Sequence, residues 1–154
     1  MNFSIQSHLR PFAIATNITQ ASHCKLDHAL LAFGALYYAF DNLRDEGDEP
    51  IKVAVMTSLE KRWAKCDQEP FILAVLLNPE IKSSLISARS TFGMANAVYM
   101  LCIRLWTRFF GSIPSHGLQQ QLQDWFSFHG QFQDARIWVD TCKRDANGNA
   151  SSFP

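Results

Sequence analysis

The chain has 154 residues, with 14 Lys and Arg balanced by 14 Asp and Glu. It is the size of one ordinary domain, and its hydrophobic fraction of 47%, with 12 Phe and 4 Trp, excludes intrinsic disorder because burial can offset the ordering entropy. A net charge of zero excludes long-range attraction to a polyanion, so any nucleic-acid contact has to be local.

The apolar-rich stretches, such as Ala29 to Phe40 and Ser90 to Ile103, are shorter than the roughly 20 residues needed to span a bilayer. Met1 to His8 has neither the basic start nor the unbroken apolar run of a secretory signal. A soluble intracellular chain without a membrane role is therefore expected. Cys24, Cys66, Cys102 and Cys142 are widely spaced with no Cys-x-x-Cys pair, so reduced, buried thiols are expected and a structural zinc is not.

Apolar residues recur at helical spacing along nearly the whole chain, and strict alternation is scarce. The expected fold is all-α, an irregular bundle of about six to seven helices. Residues 1–143 are expected to form one helical domain, and 144–154, rich in Asn, Ser, Ala and Gly, a disordered tail. Phe3 to Thr19 reads as a helix that Pro11 should kink or split. Next, Leu26, Leu30, Phe33, Tyr37 and Phe40 fall on one helical face, ended by the acidic run Asp45 to Glu49.

Pro50 suits the first turn of another helix, in which Ile51, Val55, Leu59 and Trp63 form the apolar stripe and Lys52, Glu60, Lys61, Arg62 and Lys65 the wet face. Asp67 is placed to cap Phe71 to Leu77, an apolar run that stops at Asn78-Pro79 and whose period fits either a helix or a buried strand. Met94, Val98, Leu101, Leu105 and Phe109 mark a longer helix with Gly111 as its C-terminal cap before Pro114. Leu118, Leu122, Trp125 and Phe126 repeat the pattern up to Gly130.

The block Ser58-Leu59-Glu60-Lys61-Arg62-Trp63-Ala64-Lys65, followed by Phe71 to Leu77 and by Asn78-Pro79-Glu80-Ile81-Lys82, resembles a recurring block of hAT-type DNA transposases. There a helix ending near Trp-x-Lys leads into an apolar segment and an (Asp/Asn)-Pro-x-x-Lys turn. Pro11 to Gln20, with Leu26-Asp27 and Leu31 to Tyr37, is similar to fungal members of that superfamily, and the resemblance runs from about Leu9 to Phe132. It implies a piece of the long helical insertion that interrupts the ribonuclease H-like core of those enzymes.

The family's nuclease centre takes two Asp before the insertion and one Glu after it. No strand-borne Asp pair precedes Pro11, no Ser-Glu-Arg follows Phe132, and the paired Cys and His of a BED zinc finger are missing. Two-metal phosphoryl chemistry needs several carboxylates around ions about 4 Å apart. The resemblance therefore implies a non-catalytic fragment, with no cofactor and no metal of its own, nuclear if it keeps a role in transposition. Its partners would be DNA, the missing transposase core or further copies of itself; the alternative is a helical protein-interaction module that does not bind DNA.

The candidate DNA-contacting residues are Lys61, Arg62, Lys65 and Lys82, whose charges suit phosphates, and Trp106, whose ring suits an unpaired base. Solvated surface is the rival reading for the basic residues, and Arg104 and Arg108 read as stems covering neighbouring aromatics. Trp63 and Trp125 continue apolar stripes and are expected in the core. The carboxylates Asp41, Asp45, Glu46, Asp48 and Glu49 lack calcium-loop spacing and read as a wet interhelical loop. His23, Cys24 and His28 lack a fourth ligand for zinc.

Overall fold

A computed structural model describes residues 2–81 and 95–150. Among them are seven α-helices: α1 (Asn2–Gln20), α2 (Leu26–Asp41), α3 (Glu49–Lys65), α4 (Gln68–Leu77), α5 (Ala95–Phe110), α6 (Leu118–Ser127) and α7 (Gln133–Ala150). Two 3-10 turns, Glu46–Asp48 and Gly130–Phe132, precede α3 and α7. The fold is all-α, and the described residues hold no strand. The backbone groups into two compact units, Met1–Val75 and Leu76–Pro154. The main helix-to-helix contacts follow chain order: α1 on α2, α2 on α3, α5 on α6.

In the first unit α1 runs unbroken past Pro11, so the expected split does not occur. Proline removes one donor from the helix interior, and helical turns continue on both sides of it. The hydroxyl of Thr19 donates to the carbonyl of Ala15 at 2.9 Å in the last turn. Helix α2 presents Ala32, Leu36 and Phe40 as its buried stripe, four residues apart. The expected face, drawn through its larger side chains, is turned relative to this one, and Leu26 and Tyr37 are exposed. The reason is that α2 packs on α1 as well as on α3, so its buried face is set by two neighbours.

Leu36, Phe40 and Leu59 form the core of this unit, with Ala15, Phe33, Leu43, Val55 and Met56 packed around them. The Phe12 ring of α1 lies 5.2 Å from that of Phe40, so one aromatic side chain holds both interfaces of α2. Trp63 continues the α3 stripe and is half-buried between Phe33, at 6.1 Å, and Phe71, at 6.2 Å.

Polar groups close the turns. Lys52 Nζ donates to the Asp41 carbonyl at 2.7 Å and sits 3.3 Å from its carboxylate, satisfying the C-terminal end of α2 from the first turns of α3. The acidic link after α2 is not wholly wet. Asp48 is only 8% exposed, and His8 Nε2 donates to its Oδ1 at 2.7 Å, tying α1 to the start of α3. Asp41, Asp45 and Glu49 do stay in solvent.

Phe71 to Leu77 is helical, as part of α4, which settles its period; Val75 and Leu76 are buried. In the second unit Val98, Leu101 and Leu105 form the buried stripe of α5, which ends at Gly111 in the left-handed conformation, φ +64°, with its amide donating to Thr107 at 2.9 Å. Leu122 of α6 and Val139 of α7 are buried, and the Trp125 ring meets Phe132 edge-on at 5.2 Å. Helix α7 runs through Arg144 to Ala150, so these residues of the expected tail have helical backbone. Arg144 Nε donates to the Asp140 carbonyl one turn back, and no proline interrupts the segment.

The His8–Asp48 bond gives the first prediction. Replacing His8 by Ala leaves the buried Asp48 carboxylate without this donor, which costs about 1–3 kcal/mol. Urea unfolding of the His8→Ala chain is expected to show that loss, and His8→Gln, which keeps a donor, a smaller one. An unchanged midpoint would show that the bond does not stabilise the α1–α3 arrangement.

Candidate nucleic-acid interface

The basic candidates sit where α3 ends. Its first turn carries Glu49 and its last turn Arg62 and Lys65, the polarity that complements a helix dipole. Lys61, Arg62 and Lys65 are all exposed. Arg62 Nε lies 3.5 Å from Ser58 Oγ, a long contact along the same helix. Lys61 and Lys65 form no ion pair among the described residues. With Trp63 half-buried on the other side, the three cationic residues lie one turn apart or less on the exposed side of the helix end.

The helix stops because its last carbonyls are taken. Cys66 N donates to the Trp63 carbonyl at 3.1 Å, and the Gln68 side chain donates to the same oxygen at 3.1 Å from the first residue of α4. That shared acceptor keeps the α3–α4 junction tight. At the other end of α4, the Asn78 side-chain oxygen accepts from Glu80 N at 2.8 Å, and the Asn78 carbonyl accepts from Ile81 N at 3.2 Å. This is an Asx turn. An Asp before Pro79 would carry the same acceptor oxygen. Lys82, the fourth basic candidate, lies outside the described residues.

Trp106 is on α5, in the second unit, and is partly exposed with its ring 4.5 Å from Phe110. The Arg108 guanidinium stacks over Phe109 at 5.0 Å, in line with a cation covering apolar surface. Phe109 itself is exposed, so the α5 stripe ends one turn before the sequence pattern does.

No three His, Cys, Asp or Glu side chains among the described residues are placed to share a metal ion. His23 is exposed, and Cys24 contacts the Lys25 carbonyl at 3.6 Å. Burial pushes the Cys102 thiol up, which disfavours the nucleophilic thiolate. A groove of 390 Å³ between α1 and α2, lined by Ile14, Ile18, Ala32, Ala35 and Ala39 with Arg10 at one side, is apolar and holds no acid–base pair. Among the described residues no helix is long and apolar enough to cross a membrane.

Two features escaped the sequence reading. The His8–Asp48 bond joins residues 40 positions apart, and no local signal marks it. The exposed apolar surface at the end of α5 was hidden because Phe109 continues a stripe at core spacing.

The Asx turn gives a test. Asn78→Ala removes the acceptor and is expected to cost about 1 kcal/mol, whereas Asn78→Asp should leave thermal stability nearly unchanged. Equal losses in the two variants would remove the acceptor as the reason for the residue choice.

Comparison with protein-family models, with curated proteins and with solved structures finds no match for this chain.

Proposed function

We propose that the chain is a non-catalytic helical piece of an hAT-type DNA transposase, the part that lies beside the ribonuclease H-like core and scaffolds it on DNA. The reading rests on the order of elements over residues 58–82. A basic helix ends at Trp63-x-Lys65, an apolar helix follows, and an Asn-Pro turn leads to Lys82. The exposure of Lys61, Arg62 and Lys65 at that helix end supports a phosphate-facing role, because each can release a counterion on contact. Strand cleavage belongs, in this reading, to a partner core that brings the Asp, Asp and Glu ligands, and the complex works in the nucleus. A second reading, a helical protein-interaction module, draws its support from the exposed Trp106, Phe109, Phe110 and Ile113.

Binding of the purified chain to duplex and hairpin DNA at two salt concentrations separates the readings. Each phosphate contact contributes about 0.9 to the slope of log affinity against log salt, so replacing Lys61, Arg62 and Lys65 together by Ala should flatten the slope by roughly 2 to 3. No measurable binding at low salt, or an unchanged slope in the triple variant, would turn the assignment toward the interaction module.

A further inference from the structure

Beside the contact of α1 with α2, and within the first unit alone, lies the groove of 390 Å³. Its floor is formed by Ala32, 3% exposed, and Leu36, 9% exposed. Ile14 and Ile18 of α1 stand on one side, and Ala35 and Ala39 of α2 on the other. The two isoleucines remain 49% and 39% exposed, so the groove offers branched apolar surface to water. Its volume falls among those of small-molecule sites, which run from roughly 300 to 1,000 Å³ and are mostly apolar with a few polar groups that fix orientation.

The charge of this lining is one-sided. It holds a single cation, Arg10, and no carboxylate. Arg10, Ile14 and Ile18 fall at i, i+4 and i+8 of α1, a row of about 12 Å along one side of the helix with its charge at the N-terminal end. Arg10 is exposed and enters no hydrogen bond or ion pair among the described residues. The carboxylate that α1 does meet, Asp48, is bonded to His8 at 2.7 Å. A smaller hollow of 220 Å³, reached past Thr16 and Thr19, has no charged residue in its lining.

We propose that this groove binds an unbranched aliphatic carboxylate, its alkyl chain lying along Ile14 and Ile18 against the α2 alanines and its carboxylate paired with Arg10. The row of apolar residues with one charge at its end matches a ligand built the same way, an apolar tail with one terminal anion. A guanidinium takes a carboxylate through two parallel N–H···O bonds, which fixes the direction of the tail. An alkyl cation would meet Arg10 with the same sign and no acid in the lining, and a neutral alcohol would gain the apolar contact without the ion pair. A polyanion would find one charge only. The inference does not depend on the DNA-scaffold reading.

Isothermal titration of the full chain with decanoate, kept below the concentration at which it forms micelles, tests the proposal. Saturable binding of one decanoate per chain is expected, with decanol and decyltrimethylammonium bound roughly tenfold more weakly for want of the charge-assisted pair. Arg10→Gln should weaken decanoate by roughly that factor and leave decanol unchanged, which separates the charge from the apolar contact. Ala35→Leu, at an exposed position of the lining, puts a larger side chain into the groove and should abolish binding of both. Circular dichroism checks that helicity is kept, and Ile14→Ser, also at an exposed position, replaces Ala35→Leu if that variant unfolds. No saturable binding, an Arg10→Gln chain that loses decanol as much as decanoate, or an Ala35→Leu chain that binds like wild type would each overturn the proposal. So would a dimer of the free chain that Ala35→Leu dissociates, because a second copy would then fill the groove.

Discussion

The burial of Phe40 between α1 and α3 is the contact on which the first unit depends. Its side chain is 1% exposed and meets Phe12 on one side while sharing a cluster with Leu36 and Leu59 on the other. Burying a ring of this size is worth about 1.5–3 kcal/mol. Its position matters more than its size, because one residue of α2 sets the register of two neighbours. Once α2 is fixed, Lys52 reaches its C-terminal carbonyl, the 3-10 turn presents Asp48 to His8, and α3 is oriented so that Trp63 points inward. The outward position of Lys61, Arg62 and Lys65 follows from that orientation.

Helix existence was legible in the sequence because it depends on spacing over three or four turns, as with Val98, Leu101 and Leu105 or Leu59 and Trp63. Stops were legible where a single residue type dictates the backbone: Gly111 takes a positive φ, and Asn78-Pro79 makes an Asx turn. What the spacing could not specify was which face of a helix meets which neighbour. In α2 the large side chains suggested the face through Leu26 and Tyr37, yet a helix that packs on two neighbours buries the face through Ala32, Leu36 and Phe40. Phe128 shows the same limit at the end of α6. It caps the helix at φ 54°, a conformation usually left to glycine, and nothing in its own identity signals that.

Of the candidate site, the basic helix end was legible because Lys61, Arg62 and Lys65 are adjacent in sequence and opposite to the stripe. Trp106, named for contact with an unpaired base, is partly exposed, and Trp138, which no apolar stripe claimed either, is more so. Asp48 was hidden for the contrary reason. In a run of acidic residues any one reads as solvated, and only its pairing with His8, 40 positions away, takes it out of water.

The zero net charge, which at first argues against contact with a polyanion, is the sum of a stretch without Asp or Glu, between Ile81 and Gln123, and an acidic remainder. Screening acts over about 10 Å at 0.1 M salt, so a partner feels the local charge and not the total. Arg104 and Arg108 among aromatics, and Lys61, Arg62 and Lys65 beside a half-buried tryptophan, are therefore different kinds of surface despite equal sign. The first couples charge to exposed apolar area, the kind of surface on which the interaction-module reading rests. The second couples charge to a solvated helix end, the kind of surface on which the proposed phosphate contact rests. Both can operate in one chain, since each uses residues that the packing of its own helix leaves outward.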